Sequence, residues 1–165
     1  MDKITDKVYL GDCFAADDEE KLKKNNIKRV YSCCGSLSRK YEDKSIKQKI
    51  IEINDTPEEN IIKYFKDAIK FIDESDKVFV HCFAGVSRSA TLVIAYFMWK
   101  NKKPYKEVFD FVNKYRSIGP NMGFRKQLLI FEEKLKEAKY NLDEIDLNSV
   151  EWPPKGGIPY DFMFI

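Results

Sequence analysis

The sequence predicts an α/β domain, a central and mostly parallel sheet of about five strands with helices on both faces. Three observations predict it. Short β-rich runs alternate with helix-period segments along the chain. KVFVH (Lys77 to His81), a short apolar strand, is followed after a glycine-bearing turn by a segment apolar almost all round, hence a buried helix. At 165 residues with 44% apolar content, the chain is long enough for one sizeable core and has an ordinary globular composition.

Taken in order, VYL (Val8 to Leu10) ends at Gly11 and predicts a short strand and turn. Asp17 to Asn25 predicts a charged helix with Leu22 inward. Ile27 to Cys34 is β-rich and stops at Gly35, before the polar loop GSLSRKYEDKS. KIIEIN (Lys49 to Asn54) alternates as a strand, and Pro57 is suited to the first turn of a helix over Glu58 to Asp73. Ile61, Phe65, Ala68, Ile69 and Ile72 share one face of that helix. After KVFVH, a helix runs from about Arg88 to Lys100. Another starts near Pro104 with Val108, Phe111, Val112 and Tyr115 inward, IGPN breaks the chain, and Met122 to Ala138 is a last helix burying Phe124, Leu128, Phe131 and Leu135. Asn141 to Ile165 reads as loop; its aromatics (Trp152, Tyr160, Phe162, Phe164) are expected to strap back onto the domain or to dock a partner.

Basic and acidic residues, 29 and 27, nearly cancel, which argues against nucleic-acid or membrane-surface partners. Cys13, Cys33, Cys34 and Cys82 are too few and too oddly spaced for a disulfide framework, and with one histidine no zinc pattern forms. The N-terminal stretch MDKITDKVYLGD is polar, and the longest apolar run, Ala90 to Trp99 broken only by Thr91, is about half of a membrane span. The expectation is a cytoplasmic or nuclear domain with reduced thiols and no cofactor. Nothing in the pattern fixes an oligomeric state.

The stretch HCFAGVSRSA, His81 to Ala90, concentrates chemistry. Cys82 falls where a strand ends and Arg88 where a buried helix begins, so Phe83, Ala84, Gly85, Val86 and Ser87 make a tight turn. Its N–H groups converge beside the sulfur. Such a nest, backed by a helix N-terminus, binds anions and favours thiolate over thiol. Gly85 allows a conformation that a Cβ would obstruct. Arg88 can grip two oxygens of a phosphate, and Ser89 can donate to the sulfur when it must leave. Read singly, Cys82 is a buried structural thiol and Arg88 a solvated helix start; read singly, Asp55 before Thr-Pro-Glu-Glu is a helix cap.

Together these residues resemble the signature of the cysteine-dependent protein tyrosine phosphatases, His-Cys-x5-Arg-Ser/Thr, and look closest to the dual-specificity branch. KVYLGD, INDTPEENIIKYFKDAIKFID and RSIGPNMGFRKQLLIFEEKL resemble that family's other segments in the right order, over about Ile4 to Leu135. The signature positions would arise by chance on the order of once in ten thousand chains of this length. The resemblance implies a protein tyrosine phosphatase-like fold, with residues 1–140 as the catalytic domain and 141–165 as a tail. It also implies a phosphocysteine intermediate on Cys82, oxyanion binding by Phe83 to Arg88, and Asp55 as general acid, with weaker claims for Asp43, Asp67 and Asp73. His81 is expected to orient the backbone around the cysteine and so favour the thiolate. Asn121 in GPNMGF matches a supporting asparagine or caps a helix. Cys34 matches the position of a reversible disulfide partner for the nucleophile, or is a buried strand cysteine.

The loop has no lysine of the kind that lipid-phosphatase relatives carry, and RNA triphosphatase relatives have a different loop. Nor does the segment after Cys34 have the long recognition loop of tyrosine-only relatives. The implied substrate is therefore a phosphorylated protein, taken in a shallow cleft at phosphotyrosine or phosphoserine/phosphothreonine. The rival reading is a catalytically weak phospho-binding module; the joint presence of Cys82, Arg88 and Asp55 favours the enzyme.

Overall fold

Five strands form one sheet: β1 (Asp2–Lys3), β2 (Val8–Gly11), β3 (Arg29–Ser32), β4 (Lys47–Ile50) and β5 (Val78–His81). Their order across the sheet is β1-β2-β5-β3-β4. β2, β5, β3 and β4 are parallel, and β1 joins β2 antiparallel. The computed structural model describes residues 1–159. The sheet is the expected mostly parallel one. β1 was not foreseen, because Asp2 and Lys3 carry no apolar signal.

Side-chain alternation feeds two cores. Val8, Leu10, Tyr31, Val78 and Val80 face the larger one, and Tyr9, Val30 and Phe79 the smaller. Over the first face lie α3 (Phe65–Asp73), α4 (Arg88–Asn101), α5 (Tyr105–Tyr115) and α6 (Met122–Glu137). Ala15, Ala16 and Leu22, from α1 (Cys13–Asp17) and α2 (Glu19–Lys24), cover the second. α4 is central, with every side chain from Ser89 to Met98 buried. Phe65 of α3 meets Phe131 of α6 edge to face at 5.1 Å, a contact worth about 1 kcal/mol beyond the area it buries.

Several elements differ from expectation. The helix over Asp17 to Asn25 begins only at Glu19, because Asp18 caps α2 by accepting from the Lys21 N–H at 3.1 Å. The strand expected over Lys49–Asn54 lies at Lys47–Ile50, since β3 ends at Ser32. Beyond it Ile51 and Ile53 still bond the Ser32 and Cys33 carbonyls (2.9 and 3.4 Å) and are buried. The helix expected from Glu58 opens as a 3-10 turn at Ile62–Tyr64, with α3 proper starting at Phe65. Side chains from elsewhere claim the backbone of the preceding stretch. Gln127 bonds both the Glu59 carbonyl and the Ile62 N–H at 3.0 Å, and Trp152 bonds the Pro57 carbonyl. Tyr115, expected inward, is half exposed.

The tail holds a 3-10 turn at Leu142–Glu144 and buries Leu142, Ile145, Leu147 and Trp152, so its described part packs as a strap. Tyr160, Phe162 and Phe164 lie outside the described residues.

A polar chain crosses three strands. The Gln48 amide of β4 donates to Ser32 Oγ of β3 at 3.0 Å, Ser32 Oγ lies 2.6 Å from His81 Nε2 of β5, and His81 Nδ1 lies 3.3 Å from the Cys82 carbonyl. Burial lowers the His81 pKa, so the ring is neutral. A carbonyl only accepts; Nδ1 therefore carries the proton and Nε2 accepts from the Ser32 hydroxyl. The unfolded chain takes up this proton near pH 6.5 and the folded chain only below it, so the associated stability is complete above about pH 6.5 and declines as pH falls further. Thermal unfolding followed from about pH 8 to about 5.5 should show a falling Tm on the acid side that His81→Asn lacks; a Tm rising on acidification would contradict the neutral ring.

Candidate active site

β5 delivers Cys82 to the C-terminal edge of the sheet, and the chain turns through Phe83–Ser87 into α4. The thiol is 2% exposed. Its sulfur accepts from the Gly85 N–H at 3.2 Å and lies 3.1 Å from Ser89 Oγ.

Every carbonyl of the turn is held from outside. The Phe83 oxygen accepts from the Cys13 N–H at 3.0 Å and the Val86 oxygen from the Gly119 N–H at 2.9 Å. The Ser87 oxygen accepts from both the N–H and the hydroxyl of Thr91 at 2.9 and 2.7 Å. Arg116 takes two more, Nε donating to Gly85 O at 2.8 Å and Nη2 to Ala84 O at 3.0 Å. In a trans peptide the N–H points opposite to the C=O. Turning the carbonyls outward therefore turns the following amides inward, toward the sulfur, as the Gly85 N–H shows directly. The result is a concave ring of donors at the start of α4, suited to a tetrahedral oxyanion.

Gly85 makes this ring possible. Its φ is +67°, and a Cβ there would lie 2.5 Å from the Gly11 carbonyl and 2.7 Å from the Arg116 guanidinium, so no other residue fits. Phe83 and Val86 are exposed at the rim and serve the turn through their backbone alone.

Arg88 donates from Nη1 to the Ile53 carbonyl at 3.0 Å, while its Nε is buried with no protein acceptor among the described residues. One nitrogen thus fixes the guanidinium and leaves donors for an anion. The same Ile53 begins the segment that carries Asp55. The Asp55 carboxylate is exposed and accepts from Asn121 Nδ2 at 3.0 Å. Asn121 does two further jobs: its Oδ1 caps α6 by accepting from the Phe124 N–H at 2.9 Å, and its own N–H donates to Ser87 Oγ at 3.0 Å. The helix cap and the contact with Asp55 are one geometry at Asn121. The remaining aspartates are engaged elsewhere: Asp67 with Tyr31 and Lys49, Asp73 with Lys100, Asp43 with Ser45.

Cys34 is half-buried, and burial raises its thiol pKa; its electrostatic neighbours include Arg88, Cys82 and Cys13. Cys33 is fully buried and its pKa is pushed up more strongly for the same reason. All four cysteines are free thiols.

Sequence reasoning missed Arg116, Ser32 and Gln48. Arg116 also pairs with Asp2 at 2.9 Å, tying the N-terminal strand to the turn. It precedes SIGPN, within a segment already singled out, but nothing local marks it as a carbonyl clamp. Ser32 and Gln48 carry no signal without the sheet register.

The profile of the family described as "Dual specificity phosphatase, catalytic domain" matches residues 8–134. Human dual specificity protein phosphatase 22 is 38% identical over 138 residues, covering 81% of this chain and 74% of that protein. The Dictyostelium discoideum "MAP kinase phosphatase with leucine-rich repeats protein 1" is 44% identical over 140 residues, covering 82% of this chain and 16% of that much longer protein. The Arabidopsis thaliana "Protein-tyrosine-phosphatase MKP1" is likewise covered only over 18% of its length. Among solved structures, DUSP15 superposes with a TM-score of 0.77 at 33% identity, covering 87% of this chain and 95% of that one. The human "tyrosine phosphatase-like serine/threonine/tyrosine-interacting protein" does so with 0.75 at 33%, covering 81% and 95%. With the matching profile, these likenesses and the predicted sheet in agreement, the chain belongs to the dual specificity phosphatase catalytic domain family.

Proposed function

We propose that this chain is a protein phosphatase that hydrolyses phosphotyrosine and phosphoserine/phosphothreonine through a phosphocysteine intermediate. The observation that carries the proposal is the ring of inward amides around the Cys82 sulfur, closed by Arg88. In the first step the thiolate attacks phosphorus, an S–P bond forms and the P–O bond to the leaving group breaks. The amides of Phe83–Arg88 and the guanidinium hold the equatorial oxygens where charge spreads in the transition state. Asp55, entering protonated, gives its proton to the departing oxygen. In the second step water attacks phosphorus and gives a proton to the Asp55 carboxylate. The S–P bond breaks, and the Ser89 hydroxyl donates to the sulfur as it leaves. Arg88 and the amides supply the positive field, so the step requires no metal.

A phosphorylated protein is the substrate this reading implies. The turn offers no lysine to a polyphosphorylated headgroup, and the exposed Phe83 and Val86 suit the apolar flank of a peptide. The free thiols support a reducing compartment, cytoplasm or nucleus; among the described residues no helix is long and apolar enough to cross a membrane.

Hydrolysis of p-nitrophenyl phosphate in reductant and EDTA is expected to proceed in the natural protein, to vanish in Cys82→Ser and to fall about a hundredfold in Asp55→Ala. Well-folded natural protein that binds phosphate without turnover would make the chain a phospho-recognition module instead.

The proposal extends to Cys34 as a redox partner. Peroxide converts the Cys82 thiolate to a sulfenic acid; the Cys34 thiol then displaces hydroxide from that sulfur, leaving a disulfide and water. The raised Cys34 pKa makes the second step slow near neutrality and faster at higher pH. Mass mapping after mild peroxide should find a Cys34–Cys82 linked peptide whose yield rises with pH. Over-oxidised Cys82 with no such peptide would remove the pairing.

A further inference from the structure

The segment carrying Asp55 has no ladder to hold it. From residue 54 to residue 60 it is irregular, and its geometry depends on the side chains that reach it. Gln127 pins the far end through Glu59 and Ile62. The half nearest Asp55 is held differently, between α6 on one side and the tail on the other.

We infer that Trp152 is a positioning residue for Asp55, its indole N–H fixing the loop backbone two residues beyond the carboxylate. The inference rests on the reading of Asp55 as general acid. Trp152 Nε1 donates to the Pro57 carbonyl at 2.9 Å across 95 residues of sequence. Proline has no N–H, so this carbonyl is the one backbone hydrogen-bonding group Pro57 offers. On its other side the carbonyl presses against Gly123 of α6, where a Cβ would lie 2.0 Å from the oxygen and 2.6 Å from the Pro57 Cα. The loop and the start of α6 therefore run side by side at two points, Asp55 against Asn121 and Pro57 against Gly123.

Trp152 completes the second point. The ring is 8% exposed although it lies in a stretch without helix or strand. A buried indole needs an acceptor somewhere; here the acceptor belongs to the loop that carries Asp55, two residues beyond it. Losing the donor frees Pro57 to lift away from Gly123, and misplacement of a catalytic acid by a fraction of its hydrogen-bond reach is costly to proton transfer. Attack of the Cys82 sulfur on an ester whose leaving group needs no proton does not depend on this contact.

Leaving groups separate a positioning role from simple packing. Phenyl phosphate needs its oxygen protonated; dinitrophenyl phosphate releases an acidic phenol that leaves unaided. In the full chain, Trp152→Phe should lower kcat/KM, which reports only the step that expels the leaving group, about tenfold on phenyl phosphate, leave kcat/KM on dinitrophenyl phosphate unchanged, and add nothing to the loss in Asp55→Asn. Gly123→Ala, which keeps the tail and pushes on the same carbonyl, should show the same selectivity. Equal loss on both substrates, or no loss on either, would overturn the positioning role and leave Trp152 a packing residue. If Asp55→Asn itself fails to discriminate between the two esters, the general-acid reading falls and this inference falls with it.

Discussion

The orientation of five consecutive carbonyls governs the rest of the molecule. A turn from strand to helix would ordinarily scatter its peptide dipoles. Here each C=O from Phe83 to Ser87 has an outward partner, so the amides face the sulfur. The partners come from α1, from α4, and from Arg116 and Gly119 in the segment joining α5 to α6. The site is therefore no property of ten residues alone. Remove the outer partners and the donors have no reason to converge, whatever the signature says.

The elements around the ring supply position more than charge. His81 is neutral and acts through a chain of hydrogen bonds reaching the edge strand, so its contribution to the cysteine is orientation. Asn121 joins three parts of the site: the cap of α6, the hydroxyl of Ser87 and the carboxylate of Asp55. Arg88 meanwhile links the ring to Ile53 and so to the segment bearing Asp55. Cys82, the amide ring and Asp55 thus share one connected frame, where a displacement of any part is felt by the others. Such preorganisation lowers the reorganisation needed during reaction.

The sequence was informative where a residue's role is local. Cys82, Gly85, Arg88 and Ser89 lie within one strand-turn-helix unit, and the apolar period of α4 and α6 placed both helices within a residue of their observed ends. It failed where partners are distant. The start of α3 was placed too early because Glu58 to Asn60 have helical character, yet Gln127 and Trp152 claim that backbone from far along the chain. β1 was missed because a polar edge strand has no apolar alternation to show. Arg116 has no local signal that marks it from any loop arginine; its role comes from the turn's carbonyls that end on it. The role of Asp55 rests on resemblance, and its contact with Asn121 required the fold.

In the proposed mechanism phosphorus passes through the sulfur of Cys82. Ser89→Ala removes the hydroxyl 3.1 Å from that sulfur and should slow breakdown of the intermediate more than its formation. Rapid acid quench of this variant during turnover of a phosphotyrosine peptide, followed by peptide mass mapping, measures this passage most directly. The expected result is a phosphorylated peptide carrying Cys82, formed in a burst ahead of steady release of phosphate. Steady turnover with Cys82 unmodified at every time point would contradict it and require direct attack by water.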